Sequence, residues 1–304
     1  MIKQPREATV MVAGVARNCG KTLEADVLRL ESALKSFKRV QWFIVESDSS
    51  DDTLGTLASL SNSAREFDYC TLGKLKPSFP LRTERLAICR NRYLEELETE
   101  KYKSVDFLIV ADLDGVNSKI SATGIESSWK LSDWDACFPN QSSGYFDIWA
   151  LRHHLWSPND CWEALEFLNS ISSHSEKNAL ASTYSRMIRI PQETPPIIVE
   201  SAFGGLGIYQ RAAVQGLRYS GRSEQTGRII CEHVPFHLAM GQKAKKLLIN
   251  PAMINNDFTR DTSRMEVVGH LKSVALSVIA SFRRHFGVFQ SQSARRLRRS
   301  HPIN

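Results

Sequence analysis

The chain has 304 residues, 42% hydrophobic and 24% charged, with 16 Gly and 11 Pro. That composition excludes collagen-like, coiled-coil and globally disordered chains. The formal net charge of +6 does not point to nucleic acid, because Lys272, Arg283, Arg284, Arg295, Arg296, Arg298 and Arg299 follow Glu266 with no acidic residue among them, leaving a near-neutral body.

Thr9–Val15 predicts a buried strand, followed by a polar loop and a helix running to about Phe37. Val40–Glu46 is a second strand, closed by the turn-rich Ser47–Asp52. Arg82–Thr99 places Leu86, Cys89, Tyr93 and Leu97 on one helical stripe. Val105–Ala111 is an apolar run ended by Asp112, the pattern of a central parallel strand. This alternation predicts βαβ units, an α/β fold with a mostly parallel sheet flanked by helices, and ligand chemistry at the carboxyl ends of the strands. Ala136–Phe138, Tyr145–Leu151 and Ile197–Val199 read as shorter strands, joined by loop and short helix rich in Ser, Asn, Pro and Trp. Met265–Phe289 has an amphipathic helical pattern, so the expected division is a catalytic domain over 1–262 and a helix with an Arg-rich tail over 263–304. The longest apolar stretch, Val274–Phe282, is too short to span a membrane. The polar Met1–Glu7 and six cysteines without CxxC spacing predict reduced thiols and a cytoplasmic setting, with the basic tail able to touch an anionic membrane peripherally.

Five segments carry candidate chemistry. Asp112-Leu113-Asp114-Gly115 puts two carboxylates where a strand leaves the sheet, an arrangement that can converge on one divalent cation and through it on a diphosphate. Arg82, Arg85, Arg90 and Arg92, with Asn91, crowd guanidinium groups on one helix near a single acid, Glu84. Ser201–Tyr209 contains the pair Gly204-Gly205, where backbone can approach a ligand closely. Cys231–His237 gathers Glu232, His233 and His237, a set suited to a metal ligand beside a catalytic carboxylate. Gly14–Thr22 approximates a phosphate-binding P-loop, but five residues separate Gly14 from Gly20 where that nest requires four. Taken singly, each pattern is also what a helix cap, a structural ion pair or a tight turn supplies.

Taken in chain order, the acidic turn after the second strand, the arginine helix, the paired aspartates, the glycine pair and the Glu-His cluster resemble a GT-A-type nucleotide-sugar glycosyltransferase. Phe43–Thr53 (FIVESDSSDDT) resembles the acidic turn that holds base and ribose in that fold. Arg82–Leu97 (RTERLAICRNRYLEEL) resembles a helix of the fungal capsule-associated mannosyltransferases, and the whole also resembles bacterial polysaccharide glycosyltransferases. ADLDG stands in the place of the metal-binding DxD, SAFGGLGIY resembles the glycine-rich loop beside the donor sugar, and CEHVPFH the later acidic motif with its metal-binding histidine. The resemblance implies Mn2+ or Mg2+ on Asp112, Asp114 and His237 (or His233). It implies donor contacts from Arg17, Glu46, Asp48, Arg85, Arg90, Asn91, Asp112, Gly204 and Gly205, with Glu232 as the catalytic carboxylate. The implied reaction moves a hexose, mannose by the fungal likeness, from a nucleotide sugar to a glycan or lipid-linked acceptor in surface polysaccharide synthesis. The competing expectations are a metal-dependent nucleotidyltransferase, a P-loop-like NTPase and a non-catalytic nucleotide-sugar-binding protein.

Overall fold

The computed structural model describes residues 2–63, 65–243 and 245–257. The amphipathic helix expected over 265–289, the basic tail and the boundary at 262/263 lie outside the described residues. Among them run eight strands: β1 Thr9–Ala16, β2 Arg39–Glu46, β3 Phe67–Thr71, β4 Phe107–Ala111, β5 Ala136–Gln141, β6 Ile197–Val199, β7 Leu206–Gln210 and β8 Leu247–Asn256. The helices are α1 Leu23–Ala33, α2 Thr53–Ser61, α3 Arg82–Leu97, α4 Ala122–Ser127, α5 Cys161–Ile171, α6 Ser175–Ser182, α7 Arg211–Val214 and α8 His233–Gln242. Among the described residues no helix is long and apolar enough to cross a membrane.

All eight strands form one sheet, ordered β3-β2-β1-β4-β7-β5-β8-β6. β1 runs parallel to both β2 and β4, and β2 parallel to β3. β7 is inserted antiparallel between β4 and β5, β8 is parallel to β5, and β6 closes the edge antiparallel to β8. The α/β, mostly parallel sheet flanked by helices that the sequence predicts is present. The chain steps outward from β1 to β3 and then returns to place β4 on the other side of β1. That reversal opens a crevice at the carboxyl ends of β1 and β4, where open α/β sheets bind ligands.

Burial explains why these segments are strands. Every residue of β4 is buried, and so is all of β1 except the half-buried Val15. Such strands, covered on both faces, read as unbroken apolar runs. Val10, Val12, Ile44 and Ile109 meet Leu23, Val27 and Leu30 of α1 in the core on one face of the sheet, each contributing roughly 1.5–3 kcal/mol by burial. On the other face α3 packs against β1 and β2, burying Ala87, Cys89, Tyr93, Leu94 and Leu97, and with them the charged Arg90.

Several expectations need correction. Tyr145–Leu151 is not a strand: Asp147 accepts the Ala150 N–H at 3.3 Å within its own turn and the Gly204 N–H at 2.9 Å, which folds the segment into an irregular loop. The first helix stops at Ala33, short of Phe37. The glycine-rich segment, read as a turn, continues into β7. β3 and β8 were not anticipated. β8 hides its period because Pro251 sits in a register shift, where Ile249 faces Phe138 but Ile254 faces Asn140, a bulge that accommodates a residue without an N–H.

Candidate active site

The loops after β1, β2, β4 and β5, the N-terminal half of α3, the turn before β7 and the start of α8 enclose a cavity of about 520 Å³. Its centre is the loop after β4. The Asp112 N–H donates to the Gly205 carbonyl at 2.9 Å, and Gly115, at φ +88°, donates its N–H to Asp26 Oδ2 at 2.9 Å. A non-glycine residue at 115 would strain that turn. Asp112 is half-buried and Asp114 exposed, and both line the cavity. Burial pushes the Asp112 carboxyl up to about 6, Arg90 opposes the rise, and the charges of Asp114, Glu232 and Asp147 add to it.

Arg90 explains how Asp112 and Glu232 come to lie together here. It is 3% exposed, donates Nε–H to Glu232 Oε1 at 3.0 Å and Nη2–H to Asp112 Oδ1 at 3.3 Å, and lies over the Phe203 ring at 5.2 Å. A guanidinium buried this deeply requires such partners. Its role is to hold two carboxylates in place as well as to line the cavity.

The other predicted residues divide into those that face the cavity and those that build its walls. Arg17 lines it and is exposed, as does Arg82, and neither pairs with a carboxylate among the described residues. Arg85 lines it too, but donates to the carbonyls of Phe79 and Pro80 at 2.6 and 2.7 Å and lies 3.5 Å from Asp48. Asp48, at φ +61°, secures the loop after β3 by accepting the Lys76 N–H at 3.0 Å and is not a cavity residue. Gly205 lines the cavity at φ +94°, and a Cβ there would come within 2.5 Å of Val116. Gly204, at φ +68°, backs onto Gln141.

Besides Asp48, three further assignments do not fit this geometry. Glu46 uses both oxygens internally, accepting the Ser49 N–H at 2.8 Å and the Thr71 hydroxyl, so it braces the acidic turn. Asn91 points away from the cavity and clamps Tyr219, donating to its carbonyl at 3.0 Å and accepting its N–H at 2.8 Å. His237 is fully buried, with Ser201 Oγ 3.0 Å from Nδ1 and the Tyr209 hydroxyl 2.9 Å from Nε2, which leaves no ring nitrogen for a metal. His233 is the imidazole that faces the cavity. It stacks on Phe203 at 3.7 Å, neither ring nitrogen has a hydrogen-bond partner among the described residues, and Nε2 lies 3.8 Å from Glu232 Oε1. Burial holds it well below the usual histidine range, hence neutral.

No cluster of three or more His, Cys, Asp or Glu forms a cation cage among the described residues. The donor set nevertheless fits Mg2+ or Mn2+. These ions take oxygen ligands and are commonly held by one or two carboxylates, completed by substrate phosphates and water. Asp112 and Asp114 supply the two carboxylates.

Residues without a motif complete the site. Asn117, 1% exposed, donates to the carbonyls of Asp112 and Gly205, both at 2.9 Å. Asn255 donates to Asn117 Oδ1 and to the Gly204 carbonyl, both at 2.8 Å, and Gln141 donates to Asn255 Oδ1 at 3.0 Å. This buried amide chain fastens the acidic loop to the glycine turn. Phe146, Asp147 and Trp149 line the opposite wall. No motif marks them, since the sequence pattern of Tyr145–Leu151 reads as a strand.

No family model matches the chain, and no curated protein matches it. Among solved structures it is similar to glucosyl-3-phosphoglycerate synthase from Mycobacterium tuberculosis in complex with UDP, at 12% identity over 82% of this chain and 69% of that one, with a TM-score of 0.40. It is also similar to the mannosyltransferase PcManGT from Pyrobaculum calidifontis in complex with GDP-Man and Mn2+, at 10% identity over 84% of this chain, with a TM-score of 0.45. The chain spans 57% of the length of that mannosyltransferase.

Proposed function

We propose that this chain is a divalent-cation-dependent glycosyltransferase that moves a hexose from a nucleoside-diphosphate sugar to a hydroxyl group. The observation that carries the reading is the juxtaposition, in one switch-point cavity, of the Asp112–Asp114 carboxylates with the unpaired guanidinium groups of Arg17 and Arg82. Asp112 and Asp114 would hold Mn2+ or Mg2+, and His233 is the imidazole that lines the same cavity. When bound, the cation neutralises charge that grows on the leaving diphosphate. Arg17 and Arg82 bind the phosphates from the exposed rim, and Arg90 keeps Glu232 and Asp112 in register. Gly205 lets backbone approach the transferred sugar. Glu232 is the carboxylate assigned to the acceptor hydroxyl. Mannose as the hexose, a glycan or lipid-linked acceptor and a place in surface polysaccharide synthesis follow from the sequence resemblance and belong to the same proposal.

The P-loop alternative loses ground on geometry. Gly14 lies inside β1 opposite Ile44, and a Cβ there would come within 2.8 Å of the Ala111 carbonyl, so this glycine serves strand packing. The deciding experiment is calorimetry with UDP, GDP and CDP, each with and without Mn2+. Saturable, Mn2+-dependent binding of one diphosphate, lost in Asp114→Ala, is the expected result. Turnover of a nucleoside triphosphate with release of pyrophosphate would make the chain a nucleotidyltransferase instead.

A further inference from the structure

The cavity is divided by charge, and the sheet order shows along which line. The loops after β2 and β1 lie on one side of the Asp112 loop, and those after β5 and before β7 on the other. Arg17 follows β1 and Arg85 lies 3.5 Å from Asp48 in the loop after β2, so both belong to the first side, and Arg82 opens α3, the helix packed on β1 and β2. On the second side the charged lining residues are Asp147 and Glu232, and Glu232 is already paired with Arg90. Arg152, in the same loop as Asp147, is withdrawn from ligands. It is 7% exposed, pairs with Asp160 at 2.7 Å and donates to the carbonyls of Trp149 and Leu151.

We infer that Phe146, Asp147 and Trp149 form an acceptor subsite for an uncharged sugar ring. The inference deepens the transferase reading and rests on it. Trp149 donates its indole N–H to Asp160 Oδ2 at 3.1 Å, which fixes the ring's orientation while the half-buried side chain lines the cavity. Asp160 is itself immobilised, since its Oδ1 caps α5 through the N–H groups of Trp162 and Glu163. An aromatic wall held this way offers a flat apolar surface to the C–H face of a pyranose, as ligand pockets combine apolar walls with a few placed polar groups. Asp147 accepts one backbone N–H on each carboxylate oxygen. Each oxygen retains a further lone pair for a sugar hydroxyl. The same carboxylate repels phosphorylated or carboxylated acceptors, and among the described residues no free cation on that wall compensates, so specificity comes from exclusion as well as contact.

The test offers the full chain, with Mn2+ and the nucleotide sugar whose diphosphate it binds, a panel of methyl mannosides, glucosides and galactosides. The 6-phosphates of these sugars and phosphoglyceric acid serve as anionic counterparts. Transfer to an uncharged glycoside is expected. Trp149→Ala should raise the acceptor KM at least tenfold, with Trp149→Phe intermediate, while calorimetric affinity for the nucleoside diphosphate and the melting temperature stay near wild type. In Asp147→Asn, discrimination against the 6-phosphates should relax. Preference for an anionic acceptor, failure to use any uncharged sugar while the diphosphate binds, or an unchanged acceptor KM in Trp149→Ala would overturn the subsite. Failure of the wild-type chain to bind any nucleoside diphosphate would instead overturn the transferase reading, and the subsite with it.

Discussion

The Arg90 guanidinium reaches Glu232 at 3.0 Å, joining α3, which packs on β1 and β2, to the residue that opens α8. The two side chains are 3% and 5% exposed, so neither charge has water to fall back on. Removing one partner of such a buried pair strands the other and costs about 3–5 kcal/mol. Arg90→Met should therefore destabilise the fold by that order in denaturant titration. Glu232→Gln should cost less, because the amide oxygen can still accept the Arg90 Nε–H.

Glu232→Gln also separates chemistry from binding. If the carboxylate serves the acceptor hydroxyl, turnover should fall by two orders of magnitude or more, in the range removed with a general acid–base group, while nucleotide affinity changes little. Parallel loss of both in steady-state kinetics and calorimetry would place Glu232 with the donor instead.

Asp114 differs from Asp112 in exposure, and the difference makes it the cleaner probe of the cation. Among the described residues its carboxylate accepts one hydrogen bond, from the Val116 N–H at 3.3 Å. Asp114→Ala should thus leave stability within about 0.5 kcal/mol of wild type, as for surface substitutions generally. Mn2+-dependent nucleotide binding should disappear. A folded variant that still binds nucleotide only with Mn2+ would remove Asp114 from the cation site.

The parts of this site legible in the sequence are those whose chemistry is local. β4 and its terminal Asp112 stand out because a strand buried on both faces is a continuous apolar run and its end is marked by charge. Arg90 stands out because a cation at the edge of the apolar stripe of Leu86, Cys89, Tyr93 and Leu97 demands an anionic partner. Residues whose role depends on distant partners were invisible or misread. His233 and His237 are four apart on one helix, and only the packing of Tyr209 and Ser201 shows which imidazole is consumed. Asn91 looked like a ligand-facing amide because its partner, Tyr219, lies 128 residues away. Asp147 sat in a segment whose alternating pattern imitates a strand, and β8 was hidden by the bulge at Pro251.

Asn117 is a second residue that no motif marks, and its loss should be felt at the cation. Asn117→Ala would deprive the carbonyls of Asp112 and Gly205 of a shared donor and leave Asn255 short of an acceptor. A buried polar group left unpaired costs about 1–3 kcal/mol. The loop carrying Asp112 and the Gly204–Gly205 turn would also lose their common fastening. Stability should drop by that amount, and Mn2+-dependent nucleotide affinity should fall at least tenfold in calorimetry. A drop in stability with unchanged affinity would limit Asn117 to the fold.

His237 sets a pH dependence whose sign follows from its burial. Burial, and after it the nearby charge of Arg90, pushes this imidazole down to about 3, whereas in the unfolded chain it titrates near the usual value of about 6.5. Between those values the unfolded state binds a proton that the folded state refuses. Unfolding free energy therefore rises with pH across the window: the contribution is complete above about 6.5 and is lost on acidification, by at most about 1.4 kcal/mol per pH unit. His233 is shifted in the same direction, also chiefly by burial. Asp112 acts in the opposite sense, because its raised carboxyl keeps a proton in the folded state that the unfolded state releases, so stability from this group falls as pH climbs towards about 6. The histidine effect is accordingly isolated as a difference between proteins. Denaturant titrations of wild type and His237→Gln at a series of pH values from 7.5 to 4.5 should show the wild type losing stability more steeply below pH 6.5, with the two curves converging towards the acid end. Parallel curves would mean that His237 takes up its proton without leaving the fold, and that its bonds to Ser201 and Tyr209 do not hold it neutral.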